Sequence, residues 1–264
     1  MNAIAAGAPL LGVEGLELRA GKRTLASGVS LEIRAGEFWC VLGPNGCGKT
    51  TLLLALAGLW AAASGRVQVR GLPLAAWGAG ELARVRGFLP QSVHDAFSAS
   101  VLDAVVIGRH PHVPRWHWED EADRALARRA LEDVDLREFA ERDVLSLSGG
   151  ERQRTAIATL LAQDPELMLM DEPVSHLDLH HQADAMRHFA GLASNQGKGI
   201  VLSLHDVNLA VRYATHALLF MPDGTIALGL AREILTQALL SRAYGHALER
   251  VELNGKTLFV PADL

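Results

Sequence analysis

Short apolar runs separated by turn residues mark the N-terminal part of the chain. Leu16–Leu25 and Val29–Phe38 alternate apolar and polar residues around glycines, a pattern that predicts an antiparallel β layer. Glu37–Leu42 is almost continuously apolar, which is typical of a buried strand. Further strands are predicted at Arg66–Arg70 and Val85–Pro90. We therefore expect this part of the chain to be rich in strands.

A helical period replaces this pattern from Ser92 to about Ala158. Within it, Trp118–Val134 has apolar residues at helical spacing and acidic residues in its first turn, where they favour a helix N-terminus. Strand patterns return at Glu166–Met170 and Gly199–His205. This order predicts an α/β core that is interrupted by a helical insertion.

The patterns together predict a single α/β domain. Its expected parts are a core with an N-terminal antiparallel β layer at 1–91 and 159–230, a helical subdomain at 92–158, and an appendage of helix and strand at 231–264. The 264 residues are 49% hydrophobic and 21% charged, as in an ordinary folded core. The net charge of −5 argues against a nucleic-acid partner. Cys40 and Cys47 suit a reduced, cytoplasmic setting better than a disulfide.

A glycine-rich loop follows the buried strand and precedes a helix predicted at Leu52–Leu59. The loop matches the phosphate-binding pattern G-x-x-x-x-G-K-[ST] and, with the next residue, comprises Gly43, Pro44, Asn45, Gly46, Cys47, Gly48, Lys49, Thr50 and Thr51. Its backbone N–H groups and the helix N-terminus can surround phosphates. Lys49 is expected to reach the β- and γ-phosphates, and Thr50 to ligate Mg²⁺. The loop therefore predicts a nucleotide site that takes ATP with Mg²⁺.

Two adjacent carboxylates end the predicted strand at Glu166–Met170. Sheets of this class bind ligands at the carboxyl ends of their strands. Asp171 is placed to hold Mg²⁺, and Glu172 to orient and deprotonate the attacking water. Hydrolysis needs such a base, whereas nucleotide binding alone does not.

The segment Ser148–Glu151 admits two interpretations. Its ends form the capping-box pattern S-x-x-E, in which serine and glutamate satisfy the N–H groups of their own helix. Capping does not explain Gly149 and Gly150, which allow a large group to approach the backbone at a helix end that favours anions. We therefore expect a phosphate here. A second copy of the chain, packed head to tail, would bring this loop over its neighbour's nucleotide.

The order and spacing of five motifs resemble the ATP-binding cassette (ABC) ATPases. The motifs are GPNGCGKTT, LSGGERQR, LMLMDEP, SHLD and SLHD, and the resemblance runs from about Leu16 to the end of the chain. It implies a P-loop core with an antiparallel β subdomain and an inserted α-helical subdomain. LSGGERQR carries most of the specificity, because other P-loop ATPases lack this signature.

The resemblance also implies roles for individual residues. Gln91 is similar to the glutamine that touches Mg²⁺ and relays the nucleotide state to a transmembrane partner. Ser148, Gly149, Gly150 and Glu151 correspond to the signature that clamps the partner's γ-phosphate. Ser175 and Asp178 resemble the D-loop, which communicates across the dimer. His205 resembles the switch histidine that acts with Glu172 at the γ-phosphate.

One position departs from the family pattern. Family members usually have an aromatic residue, ahead of the first strand pair, that stacks on adenine. The corresponding place here is Ala20, with Arg19 beside it. An arginine plane can stack on a base, but aromatic stacking is expected to be absent.

A single cassette without a membrane span resembles the ATPases of bacterial importers. The resemblance implies a separate permease, a periplasmic substrate-binding protein and a peripheral location on the cytoplasmic face of the inner membrane. Gly108–Ala125 and Leu177–Gln182 are similar to ATPases that import cobalamin, ferric siderophores or haem, and Pro73–Gln91 leans towards cobalamin. The alternative is a non-transport cassette protein that assists a soluble assembly such as cofactor biogenesis.

Histidines and tryptophans in and near the insertion leave further alternatives open. His110, His112 and His117, and the pair His180 and His181, invite a transition-metal hypothesis, yet no cysteine or acidic ligand completes the set. The preferred interpretation of Arg109–Trp116 is a surface segment that is stiffened by its prolines. Trp116 and Trp118 are interpreted as a local cluster, with anchoring of a membrane partner as the alternative.

Overall fold

The central sheet has six strands and provides the frame of the molecule. The computed structural model describes residues 9–93, 97–114 and 117–262. The strands are β3 (Phe38–Leu42), β6 (Arg86–Leu89), β7 (Leu167–Met170), β8 (Gly199–Ser203), β9 (His216–Phe220) and β10 (Ile226–Leu230). Their order is β10-β9-β3-β8-β7-β6, with β10 antiparallel to β9 and the others parallel. The carboxyl ends of five strands therefore open at one edge, where α/β sheets place their ligands.

A second, antiparallel sheet covers one side of this core. It contains β1 (Leu11–Ala20), β2 (Arg23–Ile33), β4 (Ser64–Val69) and β5 (Leu72–Pro73), in the order β2-β1-β4-β5. The inward residues of these strands share a buried cluster with α1 (Lys49–Leu56) and the facing side of the central sheet. The antiparallel β layer expected from the sequence is thus present.

The helix after the phosphate loop starts earlier than predicted. α1 begins at Lys49 rather than Leu52, because the left-handed Gly48 (φ 119°) ends the loop directly before it. It ends at Leu56 rather than Leu59, where Gly58 (φ 73°) turns the chain out of the helix. Lys49 and Thr50 therefore lie in the first helical turn.

Three helices form the insertion around their own buried cluster. They are α3 (Val101–Val106), α4 (Glu121–Glu132) and α5 (Gly149–Gln163), and a short α2 (Ala79–Val85) precedes β6. α4 is shorter than the predicted Trp118–Val134, because Asp120 and Asp123 form a capping box that starts it at Glu121. The boundary expected after residue 158 falls inside α5. Its Ile157 joins the central core, whereas Ala158 joins the helical cluster.

The C-terminal part of the chain extends the central core. It comprises α6 (Leu179–Gln196), α7 (Val207–Tyr213), α8 (Ala231–Ile234), α9 (Gln237–Tyr244) and the hairpin β11 (Leu248–Leu253) with β12 (Lys256–Pro261). Leu240 of α9 and Phe259 of β12 are buried in the same cluster as strands of the central sheet. Among the helices described, none combines the length and apolarity that crossing a bilayer requires.

Candidate functional site

The phosphate loop joins β3 to α1, and its lysine is hydrogen-bonded to the backbone at the start of the loop. Lys49 is buried, and its Nζ donates to the carbonyl oxygens of Gly43 at 2.9 Å and Pro44 at 3.2 Å. Among the described residues no side chain caps the N-terminus of α1, and the first three residues of this helix line a cleft. The loop therefore directs backbone donors and one ammonium group at a common point, which suits an oxyanion.

Two glycines of this loop are required by close packing. Gly43 (φ 144°) would bring an added Cβ to 2.8 Å from Phe220 Cβ. Gly48 (φ 119°) would bring one to 3.1 Å from Leu25 Cβ. Both positions combine a left-handed backbone with a tight neighbour, so a side chain at either one would displace the loop.

A buried serine organises the two carboxylates after β7. Ser203, at the end of β8, donates through Oγ to Asp171 Oδ1 at 2.6 Å and accepts from the Glu172 N–H at 2.8 Å. Glu172 has φ 49°, a left-handed conformation that costs a non-glycine residue about 1–2 kcal/mol. Its carbonyl oxygen accepts from Ser175 Oγ at 3.0 Å, which helps to hold this backbone. The sequence analysis did not identify Ser203.

The Glu172 carboxylate lies between two other predicted site residues. Gln91 Nε2 donates to Glu172 Oε2 at 2.8 Å, and His205 Nε2 is 2.5 Å from Glu172 Oε1. Glu172 is 8% exposed, whereas the His205 side chain is 47% exposed. The carboxylate is thus held by contacts at both of its oxygens in the cleft that the phosphate loop lines.

These residues and the phosphate loop line one open cleft of about 440 Å³. Its wall also includes Ala20 and Arg23, which pair across the β1–β2 hairpin. The arginine that lines this cleft is thus Arg23 rather than Arg19, whose Nε donates to Glu17 Oε1 at 2.8 Å. Strand alternation explains the difference, because neighbouring residues of a strand point to opposite faces.

Asp171, directly before the cleft residue Glu172, has an unsatisfied oxygen that fits Mg²⁺. Asp171 is 1% exposed, and its Oδ2 is buried without a hydrogen-bond partner in the described part of the chain. A buried carboxylate oxygen without a donor is costly unless a cation neutralises it. Thr50 lines the same cleft, and Gln91 uses its amide nitrogen for Glu172, which leaves its amide oxygen for a metal. Hard oxygen ligands of this kind suit Mg²⁺.

The signature segment forms the predicted capping box. The Glu151 N–H donates to Ser148 Oγ at 3.3 Å, and the Ser148 N–H donates to Glu151 Oε2 at 2.7 Å. The hydrogen bonds from Ser148 hold the pKa of the Glu151 carboxyl below its usual range. A Cβ on Gly150 would lie 3.2 Å from the His176 carbonyl oxygen, whereas a Cβ on Gly149 would meet nothing within 4 Å. Gly150 therefore lies close to the backbone of its own chain, whereas the space beside Gly149 is open.

The signature segment does not line the cleft of about 440 Å³ around the phosphate loop. Its helix is nevertheless joined to the carboxylate loop, because the buried Gln153 donates through Nε2 to the Pro173 carbonyl oxygen at 3.0 Å. The sequence analysis did not identify Gln153, although a glutamine on the apolar face of α5 indicates a buried polar contact. Of the expected D-loop residues, Ser175 contacts Glu172, whereas Asp178 caps α6 by accepting from the His181 N–H at 3.0 Å.

Three of the histidines considered as metal ligands contact oxygen atoms of the protein instead. His112 Nε2 contacts the Gln163 carbonyl oxygen at 2.8 Å, and His180 and His181 pair with Asp184 and Asp178. Across residues 9–93, 97–114 and 117–262, no group of three or more His, Cys, Asp or Glu side chains could hold a metal ion. Trp118 is 89% exposed and is not packed into a cluster. Trp116 lies outside the described residues.

Comparisons with known proteins agree with this geometry. Residues 26–175 match the family model described as ABC transporter. The chain is 38% identical to the ferric enterobactin transport ATP-binding protein FepC of Escherichia coli, over 88% of this chain and 86% of FepC. It is 40% identical to the hemin import ATP-binding protein HmuV of Streptomyces coelicolor, over 93% of this chain and 86% of HmuV.

A solved metal-chelate type ABC transporter in an inward-facing conformation has a similar fold. It superposes with a TM-score of 0.82 at 31% identity, covering 96% of this chain and 97% of that one. The chain belongs to the ABC transporter family, as one of its ATP-hydrolysing subunits.

Proposed function

We propose that this chain powers a bacterial importer of a metal chelate. In this proposal two copies close head to tail around two ATP molecules, and a separate permease carries the cargo. The observation that carries the proposal is the Glu172 carboxylate, held by Gln91 and His205 in the cleft that the phosphate loop lines. The relatives quoted above are named for ferric enterobactin and hemin, so we favour a ferric siderophore or haem over cobalamin.

The proposed chemistry is hydrolysis of the terminal phosphoanhydride. Glu172 orients a water molecule and accepts its proton as the oxygen attacks the γ-phosphorus. Lys49 and the N–H groups of the loop stabilise charge on the phosphate oxygens, and His205 contacts the γ-phosphate. Asp171, Thr50 and Gln91 would hold Mg²⁺, which supplies neutralisation of the phosphate charge. ADP and phosphate are then released as the two copies separate.

The second copy is proposed because the signature is open but remote from the cleft. Gly149 has free space on its Cβ side, and its helix begins with donors that favour an anion. A partner's γ-phosphate would complete the contact, and the signature would in turn complete the partner's site. Ser175 of the proposed D-loop contacts Glu172 directly, so a partner that reaches the D-loop would also be close to the proposed base. Closing of the dimer thus depends on ATP.

An apolar groove of about 280 Å³ supports docking of a permease. It lies between the end of β6 and helices α3 and α5, and includes Phe88, Pro90 and Ile107. Ile107 is 65% exposed, although it is a large aliphatic residue. Because Pro90 directly precedes Gln91, a helix of a permease in this groove would sense the contact between Gln91 and Glu172. We accordingly place the protein at the cytoplasmic face of the inner membrane, with a periplasmic binding protein delivering cargo to the permease.

The central experiment uses Glu172→Gln. We expect turnover to fall by about 10²–10⁴-fold, because the general base is lost while the phosphate contacts remain. Light scattering after gel filtration should show a monomer without nucleotide and a dimer with ATP and Mg²⁺. Glu249→Gln, at an exposed position of β11, is the matched control and should keep normal turnover. A Glu172→Gln variant that stays monomeric at saturating ATP and Mg²⁺ would refute the shared site.

A second experiment separates import from the alternative of a soluble assembly. Ile107→Arg should abolish co-purification with a polytopic membrane protein, the proposed permease, and leave basal ATPase activity unchanged. Leu253→Arg, at another exposed apolar position, should retain the complex. Co-purification of a soluble assembly partner, with no polytopic membrane protein, would favour the non-transport alternative.

A further inference from the structure

Helix α5, which begins at the signature segment, packs against the loop that follows Glu172. Gln153, in the second turn of the helix, is buried, and its Nε2 donates to the Pro173 carbonyl oxygen at 3.0 Å. Gly150, in the first turn, lies so close to the loop that an added Cβ would be 3.2 Å from the His176 carbonyl oxygen. The signature helix therefore touches this loop at two points, one of which directly follows the proposed base.

The loop from Glu172 to Leu177 is a compact turn with its own hydrogen bonds. The Ser175 N–H and Oγ both donate to the Glu172 carbonyl oxygen, at 3.2 Å and 3.0 Å. The Val174 carbonyl oxygen accepts from the Leu177 N–H at 3.2 Å and from Gln182 Nε2 of α6 at 3.1 Å. Val174 and Leu177 are also buried in the central core. Because packed interiors transmit displacement, we expect this turn to move as one unit.

The position of the Glu172 carboxylate depends on the backbone of this turn. Glu172 has φ 49°, and a left-handed backbone at such a residue persists only where the surrounding contacts hold it. Pro173 follows with a φ that its ring fixes, and it has no N–H, so its carbonyl is its only backbone group that can take part in a hydrogen bond. Gln153 donates to that carbonyl. A displacement of Gln153 is therefore passed through one stiff residue to Glu172.

We propose that Gln153 is a positioning residue that couples the signature of each copy to the Glu172 of that same copy. In the proposed dimer the signature contacts a γ-phosphate held by the partner, and the bond from Gln153 to Pro173 then sets Glu172 in its own cleft. Hydrolysis in one cleft thus depends on the nucleotide in the other, which is a coupling between two distinct sites. The inference rests on the proposed head-to-tail dimer, since the signature needs a partner's phosphate to respond to.

The same helix provides a matched control for this contact. Gln163, the last residue of α5, also uses its Nε2 to donate to a backbone carbonyl oxygen, that of Ala83 at 2.6 Å. Ala83 lies in α2 and does not line the cleft around the phosphate loop. Helix α5 therefore has two glutamines that each bind a carbonyl oxygen, and only Gln153 does so beside the proposed base.

The first test compares Gln153→Met with Gln163→Met in the full chain. Both substitutions keep an unbranched side chain of similar length and remove one amide donor. We expect Gln153→Met to lower kcat about two- to tenfold, the range of a single hydrogen bond, and to leave ADP affinity unchanged because the phosphate loop is intact. Gln163→Met should keep a normal kcat. A lower melting temperature of Gln153→Met with a normal kcat would show that the bond serves folding alone, and would overturn the proposal.

Mixed dimers then show on which copy Gln153 acts. A trace of one chain is mixed with a large excess of Glu172→Gln before ATP is added, so that it pairs almost only with an inactive partner, and its first turnover is measured. Here a trace of Gln153→Met should be slower than a trace of the unchanged chain by the same factor as in kcat. The reverse mixture is a trace of the unchanged chain with an excess that carries both Glu172→Gln and Gln153→Met. It should turn over normally, because the active base and its Gln153 are in the same copy.

The two mixtures separate the positioning role from its alternatives. Slower turnover in the reverse mixture alone would mean that Gln153 shapes the signature for the partner's nucleotide, and equal loss in both would mean that it supports the closed dimer as a whole. Either result would overturn the proposal. If Glu172→Gln forms a dimer with ATP and Gln153→Met has a normal kcat, the coupling is wrong and the shared site stands. If Glu172→Gln stays monomeric, the shared site is wrong and the coupling fails with it.

Discussion

Ser203 Oγ donates to Asp171 Oδ1 at 2.6 Å, and both residues are fully buried at the ends of neighbouring strands. The same hydroxyl accepts from the Glu172 N–H at 2.8 Å. One short side chain therefore orients the proposed metal ligand and fixes the backbone of the proposed base. Ser203 therefore bears on both carboxylates of the proposed site through a single hydroxyl group.

Replacing Ser203 should lower both the stability of the fold and the apparent affinity for Mg²⁺. We expect Ser203→Ala to lower the free energy of unfolding by about 1–3 kcal/mol, because Asp171 is left buried with neither oxygen paired. The Mg²⁺ concentration for half-maximal ATPase activity should rise, since Asp171 loses its orientation. Urea unfolding and Mg²⁺ titration measure the two effects. Ser194→Ala, at an exposed serine whose hydroxyl contacts Asn195, should change neither. Normal Mg²⁺ dependence in Ser203→Ala would contradict this account.

The two signature glycines should differ when replaced. Gly149→Ala meets no atom of its own chain within 4 Å, so we expect a fold of unchanged or slightly higher stability. Turnover should fall about 10²-fold, because the added methyl group keeps a partner's phosphate away from the helix N-terminus. Thermal unfolding and ATPase assays provide the measurement.

Two further variants control for the helix itself. Gly150→Ala must displace the His176 carbonyl oxygen at 3.2 Å, so it should reduce stability as well as turnover. Gly191→Ala lies inside α6 with only ordinary contact to Asn195, and should raise stability by up to about 1 kcal/mol with normal turnover. Full activity of Gly149→Ala would show that no phosphate of a partner's nucleotide approaches Gly149.

Cys47 should report on occupancy of the phosphate loop. Burial raises the pKa of its thiol above the ordinary 9.0, although Lys49 opposes the rise. The reactive thiolate is therefore scarce at neutral pH, and alkylation by N-ethylmaleimide should be slower than for a free cysteine and accelerate above pH 9. ATP should slow it further by covering the loop.

Cys40 provides the internal control for this experiment. It is fully buried, and burial raises the pKa of its thiol further. Mass spectrometry of the folded protein should therefore find one alkylated site, with a second appearing only on unfolding. Labelling of both cysteines at similar rates in the folded protein would show that Cys40 is not buried in β3 as described.

An aromatic residue at Ala20 should tighten nucleotide binding. Ala20 lines the cleft, and stacking of a base on an aromatic ring is worth about 1–3 kcal/mol. Ala20→Tyr should therefore lower the Kd for ADP about fivefold or more, measured by calorimetry. Arg19→Tyr places the same ring on the opposite face of β1 and should leave the Kd unchanged. Equal affinity of Ala20→Tyr and the unchanged chain would mean that the base lies elsewhere.

Sequence reasoning reached furthest where the pattern is local. The prediction that Gly43–Thr50 binds phosphate rests on the spacing of a few residues, and the structure has this loop between β3 and α1 as expected. Asp171 and Glu172 were found for a related reason, because an apolar strand must end where its polar residues begin. Gln91 and His205 needed the family resemblance, and the structure then brings both side chains to Glu172.

The features that were missed depend on contacts between distant segments. Ser203 is an ordinary polar residue in a strand until β8 lies beside β7. Strands β9 and β10 were not predicted, although the apolar run His216–Phe220 is typical of a buried strand. The choice of Arg23 over Arg19 required the register of the β1–β2 hairpin. Periodicity alone contains none of these relationships.

The shared burial of Leu240, Phe259 and the central strands has a consequence for evolution and for engineering. A chain shortened at Ala231 would expose one wall of the core, so the last thirty or so residues cannot be treated as a tag that different cassettes exchange freely. Fusions and reporters that leave ATP turnover intact should instead be joined at the turn between β11 and β12, where Asn254 and Gly255 are exposed.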